Sequence, residues 1–216
     1  MPSPKKKHRS NPAWIKRHVT DPFVKRSVQD GYRSRAAYKL TEIAEADRLL
    51  RPGMTVVDLG AAPGSWTQVV RQRLAATDGS LRGRIIALDI LPLDPIPDVS
   101  VIQGDFHDEA VEQQLGTLLA GAEVDVVLSD MAPNLSGIAA SDAARSLHLA
   151  ELAAEFACKH LKPEGVLLVK AFQGSGYSQF VERLKRDFRS VATRKPEASR
   201  ETSAEVYLLA RGRKNG

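Results

Sequence analysis

The chain has a single cysteine, Cys158, among 216 residues. One thiol cannot close an internal disulfide or build a cysteine-based metal site, which points to a reducing, cytoplasmic setting. Cys158 lies in the apolar-periodic stretch from Leu152 to Leu161 and is expected to be a buried structural thiol. The histidines at 8, 18, 107, 148 and 160 lack metal-ligand spacing, so no metal is expected. No apolar run approaches the ~20 residues of a membrane span. The basic first residues lack the apolar stretch of a secretory signal peptide, and the run Lys5-Lys6-Lys7-His8-Arg9 is too dense for an amphipathic transit helix. Hydrophobic residues make up 43%, enough for one well-buried domain in a chain short for two.

Acidic residues are scarce in the first part of the chain. Residues 1–39 hold eleven Lys/Arg against Asp21 and Asp30, a surplus of nine, so the net +5 of the whole leaves −4 for the remainder. A basic arm on a mildly acidic body is the footprint of polyanion binding. The first ten or so residues read as a solvated tail. Further along, the interleaved Trp14, Phe23 and Tyr32 can stack on bases or anchor the arm. The arm is placed at residues 1–33, partly disordered and RNA-binding, and the main domain at 34–216.

From Ser34, the residues Ala36, Leu40, Ile43, Ala44 and Leu49 form a helical stripe that Pro52-Gly53 ends. Short apolar runs then alternate with helical ones. Strands are predicted at Thr55–Leu59, Arg84–Ile90, Val99–Gln103, Val124–Leu128, Val166–Phe172, Val191–Arg194 and Glu205–Ala210. Helices are predicted at Trp66–Ala76, Glu109–Leu119, Ala143–Leu161 (stopped by Lys162-Pro163) and Ser178–Phe188. Strands apolar throughout, alternating with helices, make a mostly parallel sheet covered on both faces, the doubly wound α/β class.

The first strand runs into Asp58-Leu59-Gly60-Ala61-Ala62-Pro63-Gly64-Ser65-Trp66. Gly60 and Gly64 allow a sharp turn and close approach to a ligand at the carboxyl edge of the sheet. Alanine at 62 and serine at 65 break the G-x-G-x-x-G pattern, which disfavours a nicotinamide or flavin site. Acids then close successive strands. Asp89 can accept both ribose hydroxyls of an adenosine, Asp105 in Gln103-Gly104-Asp105-Phe106 can take the adenine amino group, and Asp130 follows the fourth strand. Any one of them alone could be a helix N-cap. Together with the glycine turn they describe an adenosine site without a phosphate clamp, which S-adenosylmethionine fits.

The fourth and fifth predicted strands run into Ser129-Asp130-Met131-Ala132-Pro133-Asn134 and end in Val169-Lys170-Ala171-Phe172, respectively. A lysine closing an apolar strand is costly unless partnered or able to reach solvent. Asp130 and Lys170 can meet at one sheet edge, as a structural ion pair or as a catalytic pair.

These segments, with Arg33-Ser34-Arg35-Ala36, Tyr38-Lys39-Leu40, Gln173-Gly174, Ser199-Arg200 and Glu205-Val206-Tyr207, resemble the RrmJ/FtsJ (RlmE) family of ribosomal RNA large-subunit 2′-O-ribose methyltransferases from about Trp14 to the C-terminus. The resemblance implies a Rossmann-like S-adenosylmethionine-dependent methyltransferase fold whose last strand is antiparallel. It implies a catalytic tetrad of Lys39, Asp130, Lys170 and Glu205, and cofactor contacts from Gly64, Trp66, Asp89, Asp105 and Asp130. An antiparallel last strand would start, at Glu205, on the edge where the parallel strands end. Ser65, where many members carry glycine, and Glu201-Thr202 depart from the family pattern.

The implied reaction is methylation of a uridine ribose in large-subunit RNA by a monomeric enzyme without membrane attachment. A ribose hydroxyl is a weak nucleophile, so oxygen, methyl and sulfur must be aligned while a base removes the proton. Lys170 is assigned as that base and Asp130 as its orienter, with Lys39 and Glu205 tuning charge and holding the ribose. Transfer RNA is an alternative substrate within the same reading. An amino-group methyltransferase is the nearest rival, but Asp130-Met131-Ala132-Pro133 lacks the second proline and the aromatic of that motif. A non-catalytic ribosome-assembly RNA-binding factor and a nicotinamide dehydrogenase are further alternatives.

Overall fold

The computed structural model describes residues 20–133, 136–200 and 203–214. Lys5–Arg9, Trp14, Asn134 and Glu201-Thr202, singled out above, lie outside the described residues.

The elements run α1 (Pro22–Gln29), α2 (Ala36–Ala46), β1 (Thr55–Leu59), α3 (Ser65–Arg73), β2 (Arg84–Asp89), β3 (Ser100–Gln103), α4 (Glu109–Leu119), β4 (Val124–Ser129), α5 (Ala139–His160), β5 (Leu161–Phe172), α6 (Tyr177–Asp187), β6 (Phe188–Arg194) and β7 (Glu205–Arg213). One seven-stranded sheet has the order β3-β2-β1-β4-β5-β7-β6. β1 to β5 pair in parallel, and β7 runs antiparallel between β5 and β6. The doubly wound sheet with an antiparallel last strand expected from the sequence is therefore present.

Strand residues alternate between two cores. Val57 and Leu59, with Leu208 and Ala210, pack with α4, α5 and α6. Val56, Val126, Leu128, Leu168, Tyr207 and Leu209 pack with α2 and α3 on the other face. This parity places the site. Asp58, Asp130, Lys170 and Glu205 each stand two residues from a member of the second set, so all four share the α2–α3 side of the sheet.

Two segments differ from the sequence reading. The basic arm contains α1, which has Asp21 as N-cap, its carboxylate accepting the Phe23 N–H at 3.0 Å, and proline in the first turn. It packs on α2 through Phe23 and Tyr38, with ring centroids 5.6 Å apart, and the Tyr38 hydroxyl donates to Asp30 at 2.8 Å. Lys162-Pro163 does stop α5, but the chain continues directly into β5. The register jumps from Val124↔Leu161 to Val126↔Val166, so Pro163, which has no N–H to give, sits in a bulge. Cys158 is half-buried, packed against the larger core rather than enclosed by it.

Candidate active site

The strand order lays the candidate residues along the carboxyl edge of the sheet. Asp105, Asp89, Asp58, Asp130, Lys170 and Glu205 follow one another on β3, β2, β1, β4, β5 and β7 or just past their ends. Glu205 joins them because β7 is antiparallel and starts opposite Phe172.

The four tetrad residues converge. The Lys170 ammonium donates to the Asp130 carbonyl at 2.5 Å and lies 3.1 Å from its Oδ1. Lys39 of α2 contacts Glu205 Oε1 at 2.7 Å. Tyr207 connects the two pairs. It opposes Lys170 across the β5–β7 ladder, and its hydroxyl donates to Asp130 Oδ1 at 2.7 Å. Its ring lies 5.7 Å from Lys39 Nζ and 5.5 Å from the Trp66 ring. Burial above all, then the charges of Asp130 and Glu205, hold this phenol well above its usual range, so it remains a donor. The Ser199 hydroxyl donates to Glu205 Oε1 at 2.8 Å, fixing the carboxylate that Lys39 grips.

Two clefts flank this cluster. The first, of about 410 Å³, is lined by Ser34, Ala36, Asp58, Gly60–Pro63, Ser65, Trp66 and Asp130. Its lining holds two carboxylates and no cation. Gly60 has φ +70°, and a Cβ there would run into the Met131 side chain, so the turn beside the cleft requires glycine. Arg33 braces that turn from outside, donating to the carbonyls of Pro63, Asp94 and Pro95 at 2.8, 2.9 and 3.1 Å. Ser65, the departure noted above, meets the Ser34 hydroxyl at 2.8 Å. The second cleft, of about 400 Å³, is lined by Arg35, Lys39, Arg200, Ser203 and Glu205. Burial first, then the neighbouring Arg200 charge, pull the Arg35 guanidinium below its ordinary value, which marks a site where like charges face one another.

Of the five expected cofactor residues, Trp66 and Asp130 line the first cleft directly. Gly64 is the N-cap of α3 at φ 105° and ends the turn. Asp89 supports the turn, accepting the Ala62 N–H at 2.8 Å on Oδ2 and the Leu91 N–H at 2.8 Å on Oδ1. Asp105 is exposed and engaged by His107, whose backbone N–H donates to it at 3.0 Å. That bond, then the His107 ring, lowers its pKa. Neither acid caps a helix; each closes a turn on the N–H two residues on. Reading the sequence left out Tyr207 as a hydrogen-bond donor, Ser199, and Asp58 as a wall of the cleft. The available signal was a lone charge in the apolar strand Thr55–Leu59 and the spacing of two between Glu205 and Tyr207.

A mostly parallel sheet with β7 antiparallel, carrying an acid-lined cleft at β1 and β4, is a Rossmann-like methyltransferase fold. A solved structure described as a ribosomal RNA methyltransferase from Plasmodium falciparum superimposes with TM-score 0.74 and 32% identity, over 84% of this chain and 98% of that one. The chain belongs to the FtsJ-like methyltransferase family, whose model matches residues 32–213. It is 59% identical over 213 residues to ribosomal RNA large subunit methyltransferase E of Ralstonia nicotianae, covering 95% of this chain and 96% of the relative. It is 57% identical over 212 residues to the protein of the same name from Burkholderia thailandensis, with the same coverage.

Proposed function

We propose that this protein uses S-adenosylmethionine to methylate the ribose 2′-hydroxyl of a uridine in large-subunit ribosomal RNA, with Lys170 as general base. The observation that carries this reading is the Lys170–Asp130–Tyr207–Glu205–Lys39 cluster standing between an acid-lined and a cation-lined cleft. The names and high identity of the relatives support the substrate.

The first cleft suits the cofactor in charge, since two carboxylates face a ligand whose sulfonium and ammonium are both positive. When bound, the cofactor supplies a methyl group already activated on sulfur. Trp66 and the Gly60–Gly64 turn would hold its nucleoside and methionine parts, with Asp89 fixing the turn from behind. The second cleft, with Arg35, Lys39 and Arg200, receives the RNA backbone and presents the ribose to Lys170. Two of the Lys170 amine's directions are taken by Asp130, which leaves the third for the 2′-hydroxyl. Once Lys170 has given one ammonium proton to solvent, its free amine would accept the 2′-hydroxyl proton as that oxygen takes the methyl group from the cofactor. Lys39, held by Glu205, positions the ribose. The arm at residues 1–33 adds phosphate contacts to the catalytic domain at 34–216, in a monomeric cytoplasmic enzyme.

The test is transfer of labelled methyl to large-subunit RNA from cells lacking the protein, followed by alkaline hydrolysis. A nuclease- and alkali-resistant dinucleotide containing uridine is expected, and Lys170→Ala should abolish it while cofactor binding persists. Label found on a base, or on transfer RNA alone, overturns the assignment.

A further inference from the structure

The reaction above uses Asp58 only as one of the two acids of the first cleft's wall. It interrupts the otherwise apolar end of β1 and faces α3 because it shares parity with Val56. The residue is 1% exposed, yet it forms part of the first cleft's wall beside Gly60, Ser65 and Asp130. The Thr67 hydroxyl of α3 donates to its Oδ2 at 2.7 Å.

A buried carboxylate is stable where a cation or several donors face it. Among the described residues no cation reaches Asp58; the charged groups that act on it are Asp130 beyond β4 and Asp89 at the end of β2, both acids. The cations around the cleft are committed elsewhere: Lys170 to Asp130, Lys39 to Glu205, and Arg33 to three carbonyls. Burial therefore lifts this carboxyl from the ordinary aspartate value to about 7, the Thr67 hydroxyl and backbone N–H opposing the rise and the two acids adding to it.

We propose that Asp58 carries a proton in the ligand-free protein and releases it when a cationic ligand enters the cleft, so that cofactor capture is coupled to proton release. The inference rests on the cofactor reading given above. The acid O–H bond breaks, the proton goes to solvent, and the carboxylate left behind faces the ligand's positive charge. Affinity then rises with pH, by up to about tenfold per unit, and levels off near neutrality.

The experiment is calorimetric titration of S-adenosylmethionine into the full-length protein at about pH 6, in buffers of different ionisation enthalpy. The wild type should release about one proton per ligand bound. Asp58→Asn keeps an acceptor for Thr67 but has nothing to release, and should show close to none. Its affinity should also be flat between about pH 5.5 and 7, where the wild type changes roughly tenfold. Infrared difference spectra of the wild type give a second reading that does not depend on the variant folding: the carbonyl band of a protonated carboxylic acid should disappear on binding. S-Adenosylhomocysteine, which keeps the ammonium and lacks the sulfonium, separates the two sources of charge. Equal release with both ligands assigns the ammonium as the partner, and release with S-adenosylmethionine alone assigns the sulfonium. Binding without proton release, or equal release by wild type and variant, overturns the coupling alone. No binding at any pH overturns the cofactor reading and the coupling together.

Discussion

The two clefts share a face of the sheet and helix α2 as a wall. Their linings are nevertheless opposite in sign. One presents Asp58 and Asp130 with no cation, and the other presents Arg35, Lys39 and Arg200 around a single acid. In the function proposed above, charge sorts the ligands, a cationic nucleoside to one side and a polyanion to the other. The partition is thin. The Tyr207 ring stands between Trp66 of the first cleft and Lys39 of the second, while its hydroxyl holds Asp130. In that reading the reacting groups lie along this partition, within reach of both ligands.

The largest effect should come from breaking the partition at its reactive group. Lys170→Ala is expected to lower single-turnover methyl transfer by roughly 10²–10⁴-fold, with cofactor affinity little changed. A variant that loses cofactor binding instead would mean that Lys170 belongs to the acid-lined side. Next comes Tyr207→Phe, which removes the hydroxyl from Asp130 and is expected to cost about 10- to 150-fold in kcat, since a hydrogen bond to a charged group contributes about 1.5–3 kcal/mol. An unchanged kcat with a raised KM would make Tyr207 a wall and not a positioning residue. A smaller change should follow Arg200→Ala. RNA affinity should fall and its dependence on log salt should flatten by about one, with S-adenosylmethionine affinity unaffected. Equal loss for both ligands would show that the clefts are not separate.

A last effect, on a different scale, concerns stability without ligand. The Asp58 pKa is about 7 when folded against an ordinary 3.8, so the folded state binds this proton more tightly than the unfolded one. Its contribution is complete below about pH 4 and is lost as pH rises to about 7, at roughly 1.4 kcal/mol per unit. Denaturant midpoints of the ligand-free wild type should fall over that interval relative to Asp58→Asn. A rise would contradict the sign.

The sheet could be read from the sequence because its strands are apolar throughout and its helices keep one stripe, patterns that have few other solutions. Lys170 stood out for a related reason, as a charge in a place where an unpaired one is expensive. Lys39 and Glu205 were different. Nothing local marks them, and they emerged through the resemblance of an ordered set of motifs. Asp58, a lone charge in the apolar strand β1, was overlooked because the glycine turn that follows it draws attention to the backbone. The role of Tyr207 depends on the β5–β7 register, which brings it opposite Lys170 and which no local pattern encodes. Helix α1 did carry its signals, Asp21 as cap and Pro22 in the first turn, but the density of positive charge around them drew the reading to a basic, partly disordered arm.

Arg33 is the last residue assigned to the arm, yet its guanidinium is clasped by three carbonyls belonging to the turn and the loop beyond β2. Its own N–H is held by Gln68 of α3 at 2.9 Å. The arm is thus tied to both clefts, through Arg33 to the turn of the acid-lined one and through the Asp21–Arg35 ion pair to the cation-lined one.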